Sequence, residues 1–425
     1  LLLFVIMAWF GLRGYEDALR ESELIATLMA RQTSALTAAY AANSIEAEIH
    51  EYFHVAEDEA TQSALLQMFE ALATSDIVRQ MNQPEMTSDD IVKLRKAFVS
   101  DPHRQQLHDY LQQRVDSYLQ GTNDESHDLK LASMFVVDRH GRMLAGAYDD
   151  PATVNRSAGW NYSYRTYFHG GPAGLSDSHL DWQDHGSRDV RPISKTHFST
   201  AFQSTTTGLW KVAISTPIFE HNDSNAAIVG VLALTVNLGD FAYLRTNYDP
   251  DQFVVLIDGR QGPSYGVILQ HPQFDQLAAT RNGDASHLRV DKNQLLQIQS
   301  DAKYHYRDPV AESAGGEAFR GDWIPATKQV RLPDGIDDGQ QMIVLVQERY
   351  TKATEPVRNL GAKLKREGIW ALVGVIAVVL VLWYVVIRVL SEPRLIMRRS
   401  VATKGNSQPT PVQNQTTLPA PPQGK

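Results

Sequence analysis

The sequence predicts an α+β protein, with long N-terminal helices followed by two tandem antiparallel-sheet modules, set between two membrane segments. Three observations carry this. Residues 15–83 contain neither glycine nor proline, which over so long a stretch marks helix. From Leu131 the pattern changes to short apolar runs broken by Asp, Gly and Arg, which marks strands joined by tight turns. Ile369–Leu390 is 22 residues with one charge, Arg388, long and apolar enough to span a bilayer.

The chain has 425 residues, 43% hydrophobic and 21% charged, the balance of a globular protein. A net charge of -9 leaves no basic face for nucleic acid. Cysteine is absent, which excludes disulfides, thiolate nucleophiles and Cys-ligated zinc. No phosphate-binding glycine loop and no nucleophile elbow occur, and no cofactor is expected.

Taken in order, Leu1–Leu12 is apolar throughout but too short to span. With no initiator Met, basic n-region or cleavage site, residues 1–13 read as the C-terminal part of a first transmembrane helix in a fragment of a longer protein. Residues 14–128 form a helical stalk region. Its apolar positions recur at helical spacing at Ile25, Met29, Leu36 and Tyr40, then at Ile45, Ile49, Tyr52 and Phe53. His50-Glu51 and His54 resemble a zinc-protease spacing but lack a third ligand. Asp101-Pro102 predicts an N-cap with Pro at the first helical position, and Gly121 a helix stop.

M-F-V-V-D-R-H-G-R-M-L-A-G from Met134 predicts a hairpin. Ile193–Glu220 predicts a second, long one, and Ala226–Leu238 a central strand. The strand–Asp–turn–strand pattern returns at residues 252–271, with Asp138 and Asp258 standing 120 residues apart, and 340–348 closes the second block. This echo predicts two similar modules, 129–245 and 246–350. A juxtamembrane helix, 351–368, then leads to the span at 369–390. The tail, 391–425, is rich in Pro, Gln and Thr and predicts a disordered cytoplasmic segment. Arg394, Arg398, Arg399 and Lys404 beyond the span place the C-terminal side in the cytoplasm.

The stretch W-N-Y-S-Y-R-T-Y-F-H-G, Trp160–Gly170, gathers Trp160, Tyr162, Tyr164, Tyr167 and Phe168 around Arg165. Gly170, Gly171 and Pro172 confine it to a loop or short helix. A guanidinium grips a carboxylate or phosphate through two parallel hydrogen bonds, and aromatic walls strengthen that grip by excluding water. The alternative is a core of aromatics with Arg165 stacked at the surface. Two other constellations carry chemistry. Ser176–Arg191 holds Asp177, His179, Asp181, Asp184, His185 and Asp189, a possible ligand set for a metal-dependent envelope enzyme or a solvated loop. His197 and Ser199 lack the elbow of a hydrolase.

F-V-V-D-R-H-G at 135–141, Y-S-Y-R-T-Y-F at 162–168, S-T-P-I-F at 215–219 and G-V-L-A-L-T-V at 230–236 resemble the double Cache, PAS-like extracytoplasmic sensor domain of bacterial receptors. The layout matches over about residues 15–365, and the residue-level similarity lies within 131–240. The resemblance implies that the membrane-distal module binds a small ligand. Arg165, Tyr167 and Phe168 fall at the carboxylate-binding positions, and Tyr162 belongs to the same motif. Trp160 falls near a position where amino-acid-binding members carry a Tyr. Where those members hold the amine with an Asp, this chain has Thr235, which implies an anion without an ammonium group. The Y-R-x-Y-F-H-G form, followed by a membrane helix and a short tail, also resembles Cache regions attached to planctomycete-type serine/threonine kinases. That implies a sensor in the inner membrane with a periplasmic ectodomain, no catalytic domain in this chain, a kinase N-terminal to Leu1, and a homodimer through the long helices. A ligand-free adhesion or scaffold ectodomain is the rival reading.

Overall fold

The computed structural model describes the chain except at positions 1, 84, 120–128, 149–156, 177–181, 183, 185, 187–188, 205–208, 247, 261–263, 275–287, 302, 314, 333–341 and 392–425. The expected helix stop at Gly121 and the C-terminal tail lie outside the described residues.

The glycine-free stretch is helical but not one helix: α1 (Leu2–Ala60), α2 (Ser63–Ala73) and α3 (Asp76–Met81) follow one another, then α4 (Ser88–Val99) and α5 (Pro102–Leu119). The carboxylate of Asp101 accepts the backbone N–H groups of His103 (2.9 Å) and Arg104 (3.1 Å). Those are two of the unsatisfied donors at a helix start, so the expected cap with Pro102 behind it is realised.

Two separate antiparallel sheets follow. The first comprises β1 (Ser133–Asp138), β2 (Met143–Tyr148), β3 (His197–Phe198), β4 (Phe202–Gln203), β5 (Trp210–Phe219) and β6 (Ile228–Asn237), in the order β2-β1-β6-β5-β3, with β4 also paired to β5. The predicted central strand is β6, between β1 and β5. The first arm of the expected long hairpin, ahead of β5, is instead two two-residue pieces, β3 and β4. Between them the Ser199 hydroxyl accepts the Ala213 N–H (2.8 Å) and donates to the Thr200 carbonyl (2.9 Å). A side chain replaces ladder bonds there, and Ser199 is held structurally.

The second sheet comprises β7 (Gln252–Asp258), β8 (Ile268–Gln270), β9 (Trp323–Val330) and β10 (Met342–Arg349), in the order β8-β7-β10-β9. In each sheet the opening hairpin lies beside the last strand, and the penultimate strand lies beyond it. The sequence echo is therefore a topological repeat. It extends to the turns. Asp138 Oδ1 accepts the N–H groups of His140 and Arg142 (2.9 Å each), and Asp258 Oδ1 accepts that of Arg260 (3.0 Å). Gly141 closes the first turn at φ +81°, where an added Cβ would stand 2.6 Å from Ser163 Cβ, so only glycine fits. Strand β9 was not expected. Its Pro325 and its Lys328-Gln329 obscure an apolar run, and an edge position tolerates them.

Both sheets are buried on two faces, so their strands read as continuous apolar runs. Side chains alternate between faces. Met134, Val136, Leu232 and Leu234 of the first sheet share a core with the helices, and so do Val254, Leu256, Val344 and Val346 of the second. Phe135, Val137, Val231 and Ala233 face the aromatic stretch instead. Helix α1 is thus no free stalk: from Ala38 to Ala60 its apolar stripe, with Ile45, Ile49 and Tyr52, is buried in the common core. The earlier part of the stripe differs, for Ile25, Met29, Leu36 and Tyr40 are exposed.

Residues 1–358 form one compact unit, and Asn359–Lys425 a second. After α7 (Ala242–Thr246) and α8 (Lys292–Ser300), the segments expected as a juxtamembrane helix and a span form a single helix, α9 (Tyr350–Ser391). Among the described residues it is the one helix long and apolar enough to cross a membrane.

Candidate ligand-binding site

The aromatic stretch folds as a loop and one helical turn, α6 (Thr166–His169), stopped by Gly170 at φ +72°. It lies on the first sheet with Tyr162, Tyr164, Tyr167 and Phe168 buried against Phe135, Val231 and Ala233. Between loop and sheet is a cavity of ≈ 50 Å³. Arg165, Tyr162 and Tyr167 line it from the loop, and Thr235, Ser133, Phe135 and Lys211 from the strands. The parity of β6 puts Thr235 on this face, two residues beyond Ala233.

Four of the six residues singled out in the sequence therefore meet in one cavity. The other two do not line it. Phe168 is fully buried, a core side chain beneath the loop. Trp160 is half-buried and carries the Arg95 guanidinium 5.5 Å from its ring centroid. Arg165 is half-buried instead of closing a sealed floor. Its guanidinium lies 5.0 Å from the Tyr164 ring and 4.9 Å from the Phe202 ring, and one N–H reaches the Gln203 carbonyl at 3.5 Å. Two ring faces hold it part-way into solvent, with its charge still turned to the cavity.

The deeply buried cation is Lys211 on β5, 3% exposed, which the sequence reading missed. One signal was available: Lys211 is a lone charge in the otherwise apolar W-K-V-A-I run. Ser133 was invisible, because only the strand register sets it opposite Thr235, where the two hydroxyls are 2.5 Å apart. Among the described residues the cavity is thus lined by two cationic side chains and no Asp or Glu. Burial holds the Tyr167 phenol well above the usual tyrosine range, with Arg165 pulling the other way. Tyr148, which also lines the cavity, is raised by burial, against its hydrogen bond to Ser157. Both phenols are hydrogen-bond donors at neutral pH.

Arg142 supports the loop from behind. Its guanidinium donates to Gly159 O (2.8 Å), Met81 O (2.7 Å), Asp184 O (2.9 Å) and Asn82 Oδ1 (2.8 Å). Desolvation lowers its pKa, with Asp138 raising it. Arg95 pairs with Asp184 at 3.0 Å. Of the possible metal-ligand set, Asp177, His179, Asp181 and His185 lie outside the described residues. His50 and His54 are exposed on α1. Among the described residues no three His, Asp or Glu side chains converge as a metal site.

No protein-family model and no curated protein matches the chain. Solved structures similar to it include sensor and ligand-binding domains. The sensor domain of the Vibrio cholerae histidine kinase DctB is 15% identical, with 71% of this chain and 97% of that one covered and a TM-score of 0.34. The ligand-binding domain of the Pseudomonas fluorescens chemoreceptor CtaA, in complex with L-leucine, is 13% identical, with coverage of 79% and 99% and a TM-score of 0.38. That of the Pseudomonas aeruginosa chemoreceptor PctC, in complex with GABA, is 13% identical, with coverage of 75% and 100% and a TM-score of 0.34.

Proposed function

We propose that this chain is the sensor part of a membrane receptor that takes a small anion in the cavity under Arg165. The observation that carries the reading is the cavity's charge. Arg165 and Lys211 reach it from two different elements, and among the described residues no carboxylate lines it. An anion entering there meets two positively charged donors, each able to make a charge-assisted bond. A ligand bearing an ammonium group would meet hydroxyls at Ser133 and Thr235 and, among the described residues, no acid. The narrow cavity favours a ligand of few atoms.

The ectodomain, in this reading, is extracytoplasmic, anchored in the inner membrane by α9. The two sheets are the distal and proximal modules, 129–245 and 246–350. Their order along α1 supports this: its Arg31 donates to Asp301 O and Ile298 O of the second block, and its Tyr52 meets Lys130 of the first. The signal leaves through α1 toward a serine/threonine kinase N-terminal to Leu1, on the strength of the sequence resemblance, and sequencing the coding region upstream of Leu1 tests that arm.

Binding is tested with the full chain in nanodiscs against small anions and their neutral amides. A binder at about 100 times its Kd stabilises by about 2.7 kcal/mol. Arg165→Ala and Lys211→Met should each remove that shift while the unliganded melting midpoint stays within a few degrees for Arg165→Ala. Amides that bind as well as the acids, or an Arg165→Ala chain that binds normally, would overturn the reading.

A further inference from the structure

A second cavity, more than ten times larger, lies at the turn end of the first sheet, away from Arg165. It measures ≈ 580 Å³, inside the range of roughly 300–1,000 Å³ typical of small-molecule sites. Helix α2, the end of α3, the β1–β2 turn and the ends of β5 and β6 enclose it. Its floor is apolar, with Phe69 of α2 against Ile218 and Val229 of the strands.

Two opposite charges flank that floor. Arg139, on the β1–β2 turn, and Glu70, on α2, both line the cavity and are exposed. Among the described residues no carboxylate lies within ion-pair distance of Arg139, whose Nε donates to His140 Nε2 (3.1 Å). By the same criterion no cation pairs with Glu70. Elsewhere on the wall Arg79 pairs with Asp76, and His221 stands 3.9 Å from Glu220, an ion pair only when that imidazole is protonated.

The back wall is preformed. Asp138 is 3% exposed, and its carboxylate accepts the Asn82 side-chain N–H at 2.6 Å. Asn82 in turn accepts Arg142 at 2.8 Å. The two non-glycine residues in left-handed conformation, among the described residues, are His221 and Asn222, and both face this cavity. Backbone held in that region persists only where its surroundings enforce it, and such residues cluster at ligand clamps.

We propose that this cavity is a second binding site, for a small zwitterion with an apolar body: a short apolar peptide with free ends. Its carboxylate meets Arg139, its ammonium group meets Glu70, and its side chains cover Phe69, Ile218 and Val229. Nothing in the proposal depends on what occupies the cavity under Arg165.

The probe is Leu-Leu, titrated by equilibrium dialysis into the full chain in nanodiscs. N-acetyl-Leu-Leu and Leu-Leu-amide are run beside it. Glu70→Ala and Arg139→Ala should each weaken Leu-Leu by about three- to fivefold, the size of an exposed ion pair. Glu70→Ala should have no effect on the acetylated peptide, nor Arg139→Ala on the amide. Thr74→Trp, which puts bulk into the cavity from an exposed position, should abolish binding of all three. Arg165→Ala should leave every one unchanged. Absence of Leu-Leu binding at millimolar concentration, binding that survives Thr74→Trp, or end-blocked peptides that keep both mutational effects would overturn the proposal.

Discussion

Arg142 is 1% exposed, and three of its four hydrogen-bond acceptors are backbone carbonyls. Truncation would leave those carbonyls buried without a donor, at a cost of roughly 1–3 kcal/mol for each group that water cannot reach. Arg142→Leu should therefore destabilise the fold by about 3 kcal/mol in denaturant unfolding, and more than Arg165→Ala, whose guanidinium rests on ring faces. Equal losses for the two variants would mean that the Arg142 network carries no special weight. The contrast shows what could be read from residues alone. Arg165 was legible because a guanidinium among five aromatics announces itself in the sequence. Arg142 and Lys211 were not, since an Arg beside a turn and a Lys in a strand look like solvated charges until the register and the α3–β1 packing bury them. Phe168 and Trp160 were legible as aromatics but not as structural ones: Tyr167 and Phe168 point to different surfaces of a one-turn helix, and Trp160 lies in the loop before it.

The elements were more legible than their ends. The tandem repeat showed through its turns, where Asp138 and Asp258 make the same side-chain bond to the following backbone. Strand β9 and the break between β3 and β4 were hidden, because an edge strand tolerates Pro and polar residues, and because Ser199 substitutes for a ladder bond. The junction of β10 with α1 carries a pH-dependent contact. Glu348 accepts the Ser34 hydroxyl at 2.9 Å and the Gln252 amide at 3.3 Å. Burial raises its pKa, with the Ser34 hydrogen bond opposing. The folded state therefore holds the proton more tightly than the unfolded chain. Stability falls as pH rises from the ordinary glutamate value, about 4.3, through the raised folded value. Glu348→Gln keeps the acceptor and removes the charge. Its melting midpoint should exceed the parent's at about pH 8 and converge with it at about pH 4. A parent whose midpoint does not fall over that interval relative to Glu348→Gln contradicts the assignment.

Helix α1 ties the sites together, since it backs both sheets and carries the route proposed for the signal. Its segment from Ile25 to Tyr40 buries Ser34 and Ala38 on one side and leaves Ile25 47%, Met29 64%, Leu36 69% and Tyr40 68% exposed on the other. Intervals of four, seven and four place these side chains in one stripe, the spacing by which two helices pack as a coiled coil. A row of large apolar side chains at that spacing in water marks an interaction surface, and the homodimer expected from the sequence would seat the same stripe of a second copy there, which crosslinking tests. The chain has no cysteine, so one engineered thiol reports cleanly. Met29→Cys and Leu36→Cys should form interchain disulfides in membranes under mild oxidation. Ala35→Cys, exposed but turned about 110° from the stripe at 100° per residue, should form far fewer. If α1 also carries the signal, saturating the cavity under Arg165 must favour one arrangement of the paired helices, because a ligand with equal affinity for both shifts nothing. The crosslinking yield at Met29→Cys should then change with ligand, and should stop changing when Arg165→Ala is added. Equal yields at positions 29 and 35 would remove the dimer. Ligand-independent yields at position 29 would keep the dimer and send the signal by another element, α9 being the one that leaves β10 directly.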